Sequence, residues 1–155
     1  MEVRTILWPT DLSKNSIKAA KHVSSLADKY QAKVIVLYVG VDPCSMFPAW
    51  GSYPSKEQMD HFQDYELKHA KQHLETVCEK ELKACPNLQT RLVQGDAATE
   101  ILKMIKAEKA DLVVLTSHGR GAEDLDQKSA EFGSVARKVM ANSPVPVHLI
   151  NPLTM

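Results

Sequence analysis

The stretch DLVVLTSHGRG (residues 111–121), followed after ten more residues by FGSVARKVMANSPVPV (residues 132–147), decides the fold. Asp111–Leu115 is almost wholly apolar and reads as a buried strand. The glycines of 119–121 and 133 break it from a second periodic segment that opens at Gly133 and Ser134. Strand, glycine-rich loop and helix start form the arrangement with which α/β proteins hold anions. The first amides of the helix are unpaired, and the helix dipole favours negative charge there.

Working outward, the same alternation recurs. Arg4–Trp8 is a short apolar run that Pro9 is expected to end. From Ser13, a candidate N-cap, Ile17, Ala20, Val23, Ala27 and Tyr30 recur at helical spacing. Lys33–Val39 is nearly continuous apolar sequence, as a strand covered on both faces requires. Gly40–Pro54 has prolines and aromatics without periodicity and reads as a long loop. Ser55 with Gln58 resembles a capping box. It opens a helix to about Ala84, with Phe62, Ala70, Leu74, Val77 and Cys85 on the expected buried side. Gln89–Val93 is a strand, and Ala97–Lys109 a helix burying Ile101, Leu102 and Ile105. Glu131–Ala141 is the next helix and Val147–Ile150 the last strand. This order predicts an α/β fold: a five-stranded, mostly parallel sheet with four intervening helices on both faces. Its site belongs at the carboxyl ends of the strands, where strand order reverses. The loops there are Pro9-Thr10-Asp11, Gly40 onward, and Thr116–Ser134.

Bulk properties set the bounds. A chain of 155 residues reads as one domain, 1–155. Lysine plus arginine balances aspartate plus glutamate at 19 each, and no basic stripe argues for nucleic acid. The longest apolar run, Val34–Val41, is too short for a membrane span. Three cysteines, Cys44, Cys78 and Cys85, fit reduced thiols and a cytoplasmic location better than a disulfide framework. Cys78 and Cys85 are expected about 10 Å apart along one helix, too far to bridge.

These residues together resemble the universal stress protein family across essentially the whole chain. The resemblance is carried by ILWPTDLS (6–13), Gly95-Asp96-Ala97, ADLVV (110–114), GSVA (133–136) and PVPV (144–147) in that order. It implies a Rossmann-like sheet of the kind shared by adenine-nucleotide α-hydrolases, paired into a homodimer through the last strand. In the nucleotide-binding branch the motif is Gly-x-x-Gly, nine residues, then Gly-Ser/Thr. Carried over, Asp11 would contact ribose or adenine, and Pro9, Thr10 and Val39 would line the base. Gly119, Gly133, Ser134 and Val135 would surround the phosphates, with Thr116 and His118 in the same loop. The ligand implied is ATP or AMP, with magnesium if ATP.

Two departures stand against the motif. Thr116 occupies the place of the first glycine, and thirteen residues separate Gly119 from Gly133. The longer loop carries Glu123, Asp124 and Asp126 against Arg120 and Lys128. Carboxylates near a triphosphate cost on the order of 1 kcal/mol per near contact at surface dielectric.

Each singled-out residue also has a plainer reading. Asp11 is equally suited to bracing a turn. His69 and His73 stand at i, i+4, a spacing that grips metals, but no third ligand accompanies them and solvated histidines are the simpler reading. Met46, Phe47, Trp50 and Tyr53 form a lid or partner patch, or pack back over the sheet. No nucleophile elbow or Walker lysine motif is present, so no motif argues for catalysis; slow ATP hydrolysis stays open if ATP binds. Three functions stay open: a nucleotide-binding stress or signalling protein, an interaction module without nucleotide, and an enzyme on the related adenine-binding scaffold.

Overall fold

In a computed structural model the protein is described over residues 1–40, 55–119 and 132–154. Five parallel strands form one sheet: β1 (Thr5–Thr10), β2 (Lys33–Gly40), β3 (Leu88–Gln94), β4 (Leu112–Thr116) and β5 (Val147–Ile150). Their spatial order is β3-β2-β1-β4-β5. The helices are α1 (Lys14–Ile17), α2 (Ala20–Tyr30), α3 (Lys56–Glu81), α4 (Ala97–Ala107) and α5 (Ser134–Asn142). This is the expected Rossmann-like α/β architecture.

The apolar runs are continuous because both faces of the sheet are covered. Ile6, Trp8, Val34, Val36, Leu112 and Val114 pack against Ala20, Val23 and Ala27 of α2 and Ala70, Leu74 and Val77 of α3. Their neighbours Leu7, Ile35, Leu37, Val113 and Leu115 turn the other way. They meet Ile101 and Ile105 of α4 and Ala136 and Val139 of α5. Successive strand residues thus feed two cores, as the two-residue period dictates.

The strand order reverses between β1 and β4, and the two part early. They pair only over Ile6↔Leu112 and Leu7↔Val113, whereas β1 pairs with β2 from Thr5 to Thr10. Pro9 was expected to end β1, yet the strand runs through it. The Arg4 carbonyl accepts from Lys33 and the Thr5 carbonyl from Asp111, so odd positions of β1 face β4. At Pro9 β4 has already diverged, and the missing N–H breaks no ladder bond. The two strands are therefore unpaired with each other beyond Leu7 and Val113. Asp111 fastens the opposite end, its Oδ2 accepting from Arg4 N and Thr5 N at 2.9 Å each.

Three local expectations change. The first helix is two pieces, because Ala19 N–H takes the carbonyl of Ser16 three residues back, a tighter 3-10 bond. The long helix ends at Glu81, not near Ala84. Leu82, only 1% exposed, turns into the core as C-cap, and Cys85 lies beyond the helix. The helical spacing assumed for Cys78 and Cys85 therefore does not apply, although both thiols are free. Phe62 was expected on the buried side of α3 and is 50% exposed. It stands eight residues before Ala70, about 80° round the helix from it. The capping box holds: Ser55 Oγ accepts from Gln58 N, and Gln58 Oε1 from Ser55 N.

Candidate nucleotide site at the strand reversal

The β1–α1 turn meets the residues that follow β4, through Asp11 and Asn15 against Gly119. Leu12 is buried in the left-handed region, at φ 62°, a strained setting for a branched side chain. Its neighbours hold it there. Leu12 N donates to Thr10 Oγ1 at 3.1 Å, and Ser13 N to Asp11 Oδ1 at 2.9 Å. Ser16 Oγ donates to Thr10 Oγ1 at 2.8 Å. Ser13 caps α1, as expected, accepting from Ser16 N. Thr10 is 5% exposed, and its hydroxyl braces the turn.

Asp11 faces Gly119. A Cβ on Gly119 would stand 2.5 Å from Asp11 Oδ2, so only glycine allows this approach. Asn15, buried in α1, donates from Nδ2 to Gly119 O at 3.4 Å. Asn15 was not singled out in the sequence, where a polar residue in a first helical turn reads as solvent-facing.

Beyond β4 the chain turns at Ser117, which is fully buried. Ser117 N donates to Ile150 O of β5 and Ser117 O accepts from Gly133 N, both at 2.8 Å. Gly133 is the N-cap of α5 without a side-chain cap bond. Its φ of −56° suits any residue. Space is tight there, since a Cβ would lie 3.3 Å from the Ser117 carbonyl oxygen, which would have to give by a few tenths of an ångström. Ser134 is exposed and Val135 half-buried. The α5 start thus offers uncapped amides beside Ser117.

The expected residues divide into two groups. Asp11, His118, Gly119 and Gly133–Val135 sit on the two connections flanking the reversal. Pro9, Thr10 and Thr116 are buried at the strand ends, and Val39 is the residue after the Thr10↔Tyr38 pair on β2. Thr116 pairs with Ile150 within β4, so it belongs to the strand rather than to the loop. Segments 41–54 and 120–131 lie outside the described residues. So do the expectations for Cys44, the aromatic cluster of Met46, Phe47, Trp50 and Tyr53, and the charges of Arg120, Glu123, Asp124, Asp126 and Lys128. Among the described residues no group of three or more His, Cys, Asp or Glu is placed to hold a metal, and His69 and His73 are exposed on α3. No described helix is long and apolar enough to cross a membrane.

Elsewhere, burial pushes the Cys78 thiol from 9.0 up to about 11. The hydroxyl and amide of Thr99 hold the Asp96 carboxyl at the α4 N-cap below its usual range.

Known proteins share this architecture. A universal stress protein of Methanocaldococcus jannaschii, MJ0531, is 32% identical over 150 residues, covering 95% of this chain and 81% of its own. The solved structure of UspA from Lactobacillus plantarum superposes with a TM-score of 0.79 at 24% identity, covering 97% of this chain and 99% of that one. A universal stress protein from Archaeoglobus fulgidus, solved in complex with dAMP, gives 0.65 at 18% identity, covering 97% and 100%. The sequence profile of the universal stress protein family matches residues 2–151. With the family profile matching nearly the whole chain and a relative 32% identical over 150 residues, this chain belongs to the universal stress protein family.

Proposed function

We infer that the protein is a nucleotide-binding stress-response or signalling protein, taking ATP or AMP where β1 and β4 part. The reading rests on one observation above others: α5 begins at Gly133 without a side-chain cap, hydrogen-bonded to Ser117 just past β4, where the strand order reverses. Unpaired amides at a helix start, with the dipole behind them, attract an anion by about 0.3–1 kcal/mol. The base would lie near Asp11, Pro9, Thr10 and Val39. The phosphates would lie at His118, Gly119 and Gly133–Val135, near the end of β4 at Thr116, with magnesium accompanying ATP. The dAMP complex of the Archaeoglobus relative supports an adenine nucleotide as the ligand class.

The chain would act as a single domain, 1–155, in the cytoplasm, and as a homodimer. β5 is an edge strand without acidic residues, lysine or arginine to blunt it, which suits pairing with a second copy. Chemistry, if any, would be slow ATP hydrolysis.

A second reading, an interaction module without nucleotide, is favoured by the Asp11 carboxylate. It already lies against Gly119, where a phosphate would need room. Mass spectrometry of the gently denatured protein separates the two. Co-purified ATP or AMP supports the nucleotide reading. An empty protein that also fails to take up added nucleotide supports the module.

A further inference from the structure

His22 of α2 and His148 of β5 meet from opposite ends of the chain. Their ring centres lie 6.1 Å apart, inclined by 42°, and both residues are exposed. His148 stands on the α2 side of the sheet because Ile150 packs there too, whereas Val147 and Leu149 pack on the other face. Lys18, just before α2, donates from Nζ to Pro152 O at 2.8 Å and ties the chain after β5 to the same corner. Two imidazoles from separate elements make half of a tetrahedral zinc ligand set.

The edge of the sheet supplies the other half. Pro146 O accepts from Val113 N and Ile150 O from Ser117 N, which leaves the backbone groups of Val147 and Leu149 pointing away from β4. A second copy can add there, antiparallel about a two-fold axis. An axis nearer the start of the strand needs Val145, whose N and O are engaged by the Ser143 hydroxyl. An axis nearer its end needs Asn151, whose carbonyl accepts from Thr154. An axis at His148 pairs Val147 with Leu149 of the partner subunit, and the reverse, and disturbs neither. His148 then stands opposite the partner subunit's His148 in a non-hydrogen-bonded pair, about 4.5 Å between Cα atoms and on one face.

We propose that the dimer carries a divalent transition-metal site on its two-fold axis, built from His22 and His148 together with His22 and His148 of the partner subunit. The site rests on the β5 pairing inferred above. One chain supplies two ligands and tetrahedral zinc takes four, so the site is incomplete without the second copy. Imidazole nitrogens suit zinc-like ions, whereas magnesium and calcium prefer oxygen. Bonds of about 2.0–2.1 Å to ring nitrogens require the rings to close in, and exposed side chains can rotate to make them. Because the ion binds only the paired state, it stabilises the dimer by mass action.

Zinc titration of untagged wild-type protein, first stripped with a chelator, tests this by calorimetry and light scattering. The expected result is one zinc per two chains and a dimer at least tenfold tighter with zinc than with chelator. Cobalt(II) in its place should give the visible absorption of tetrahedral coordination. His148→Ala should abolish the binding and His22→Ala weaken it at least tenfold, both with native circular dichroism. Leu149→Pro keeps both histidines and should lose the zinc, whereas His69→Ala on α3 should keep it. A dimer that binds no zinc, or binds it equally well without His148, overturns the proposal and leaves the β5 pairing standing. Unchanged affinity in His22→Ala overturns the four-histidine set, and one zinc per chain, retained by Leu149→Pro, overturns the shared site. Protein that is monomeric with and without zinc overturns the pairing and the metal site together.

Discussion

The Asp11 carboxylate lies against the α-carbon of Gly119, close enough that a Cβ there would stand 2.5 Å from Oδ2. This contact joins the turn after β1 to the turn after β4. The same carboxylate accepts from Ser13 N and so holds the β1–α1 turn in shape. Gly119→Ala should push Asp11 off Ser13 and destabilise the fold by about 1–2 kcal/mol. In the Gly119→Ala background, Asp11→Ala should cost less than it does alone, because the clash has gone. Urea denaturation of the four proteins of this cycle checks the coupling. Strict additivity would show that the contact carries no energy.

Gly133 and Ser134 test the phosphate end. A Cβ on Gly133 would lie 3.3 Å from Ser117 O, and the branched side chain of Gly133→Val would crowd the backbone where phosphates are proposed to approach. ATP affinity should fall about tenfold, a 1.4 kcal/mol change. Ser134→Ala should weaken ATP more than adenosine, whereas Asp11→Ala should weaken ATP and AMP alike. Equal losses for adenosine and ATP in Ser134→Ala would remove Ser134 from the phosphate contacts.

The acidic charges of 123–126 act at longer range. Replacing Glu123, Asp124 and Asp126 by their amides should raise ATP affinity, and more so at low salt, because screening shortens the reach of exposed charges. Titrations at two ionic strengths read the difference. An unchanged affinity at low salt would place these charges clear of the ligand.

The edge strand carries its own prediction. Pro146 O accepts from Val113 of β4 and Ile150 O from Ser117 just past it, so Val147 and Leu149 turn their backbone groups outward. Leu149→Pro removes an outward N–H while sparing the ladder to β4. Light scattering at micromolar concentration should show a dimer for wild type and a monomer for this variant, with a native circular dichroism spectrum in both. A monomeric wild type would remove β5 as an assembly surface.

Cys78 should be inert at neutral pH. Burial raises its thiol from 9.0 to about 11 in the folded protein. The folded state therefore holds this proton more tightly than the unfolded chain. Its contribution is intact below pH 9 and is lost as pH climbs through about 11, a change on the order of 2 kcal/mol. Native labelling with a thiol reagent at pH 7.5 should modify Cys78 far more slowly than in urea, and Cys78→Ala should flatten the alkaline fall in stability.

Periodicity made the architecture legible because both faces of the sheet are covered. The runs at 33–39 and 111–115 are apolar for that reason, and the intervening helices bury one stripe each. What the sequence left hidden depends on neighbours distant along the chain. Pro9 sits inside a strand because β4 has already turned away. Phe62 stands about 80° round α3 from Ala70 and so leaves the core stripe. Asn15 and Ser117 look like ordinary polar residues until Gly119, His118 and Ile150 come beside them. The glycines at 119 and 133 were visible, but not that a Cβ would crowd the Asp11 carboxylate at one and the Ser117 carbonyl at the other.

Calorimetric titration of wild-type protein with ATP and with AMP, with and without magnesium, tests the central claim most directly. Saturable binding of at least one nucleotide, weakened at least tenfold by Asp11→Ala, is the predicted result. No heat up to millimolar nucleotide, from protein that carries none after purification, would contradict it.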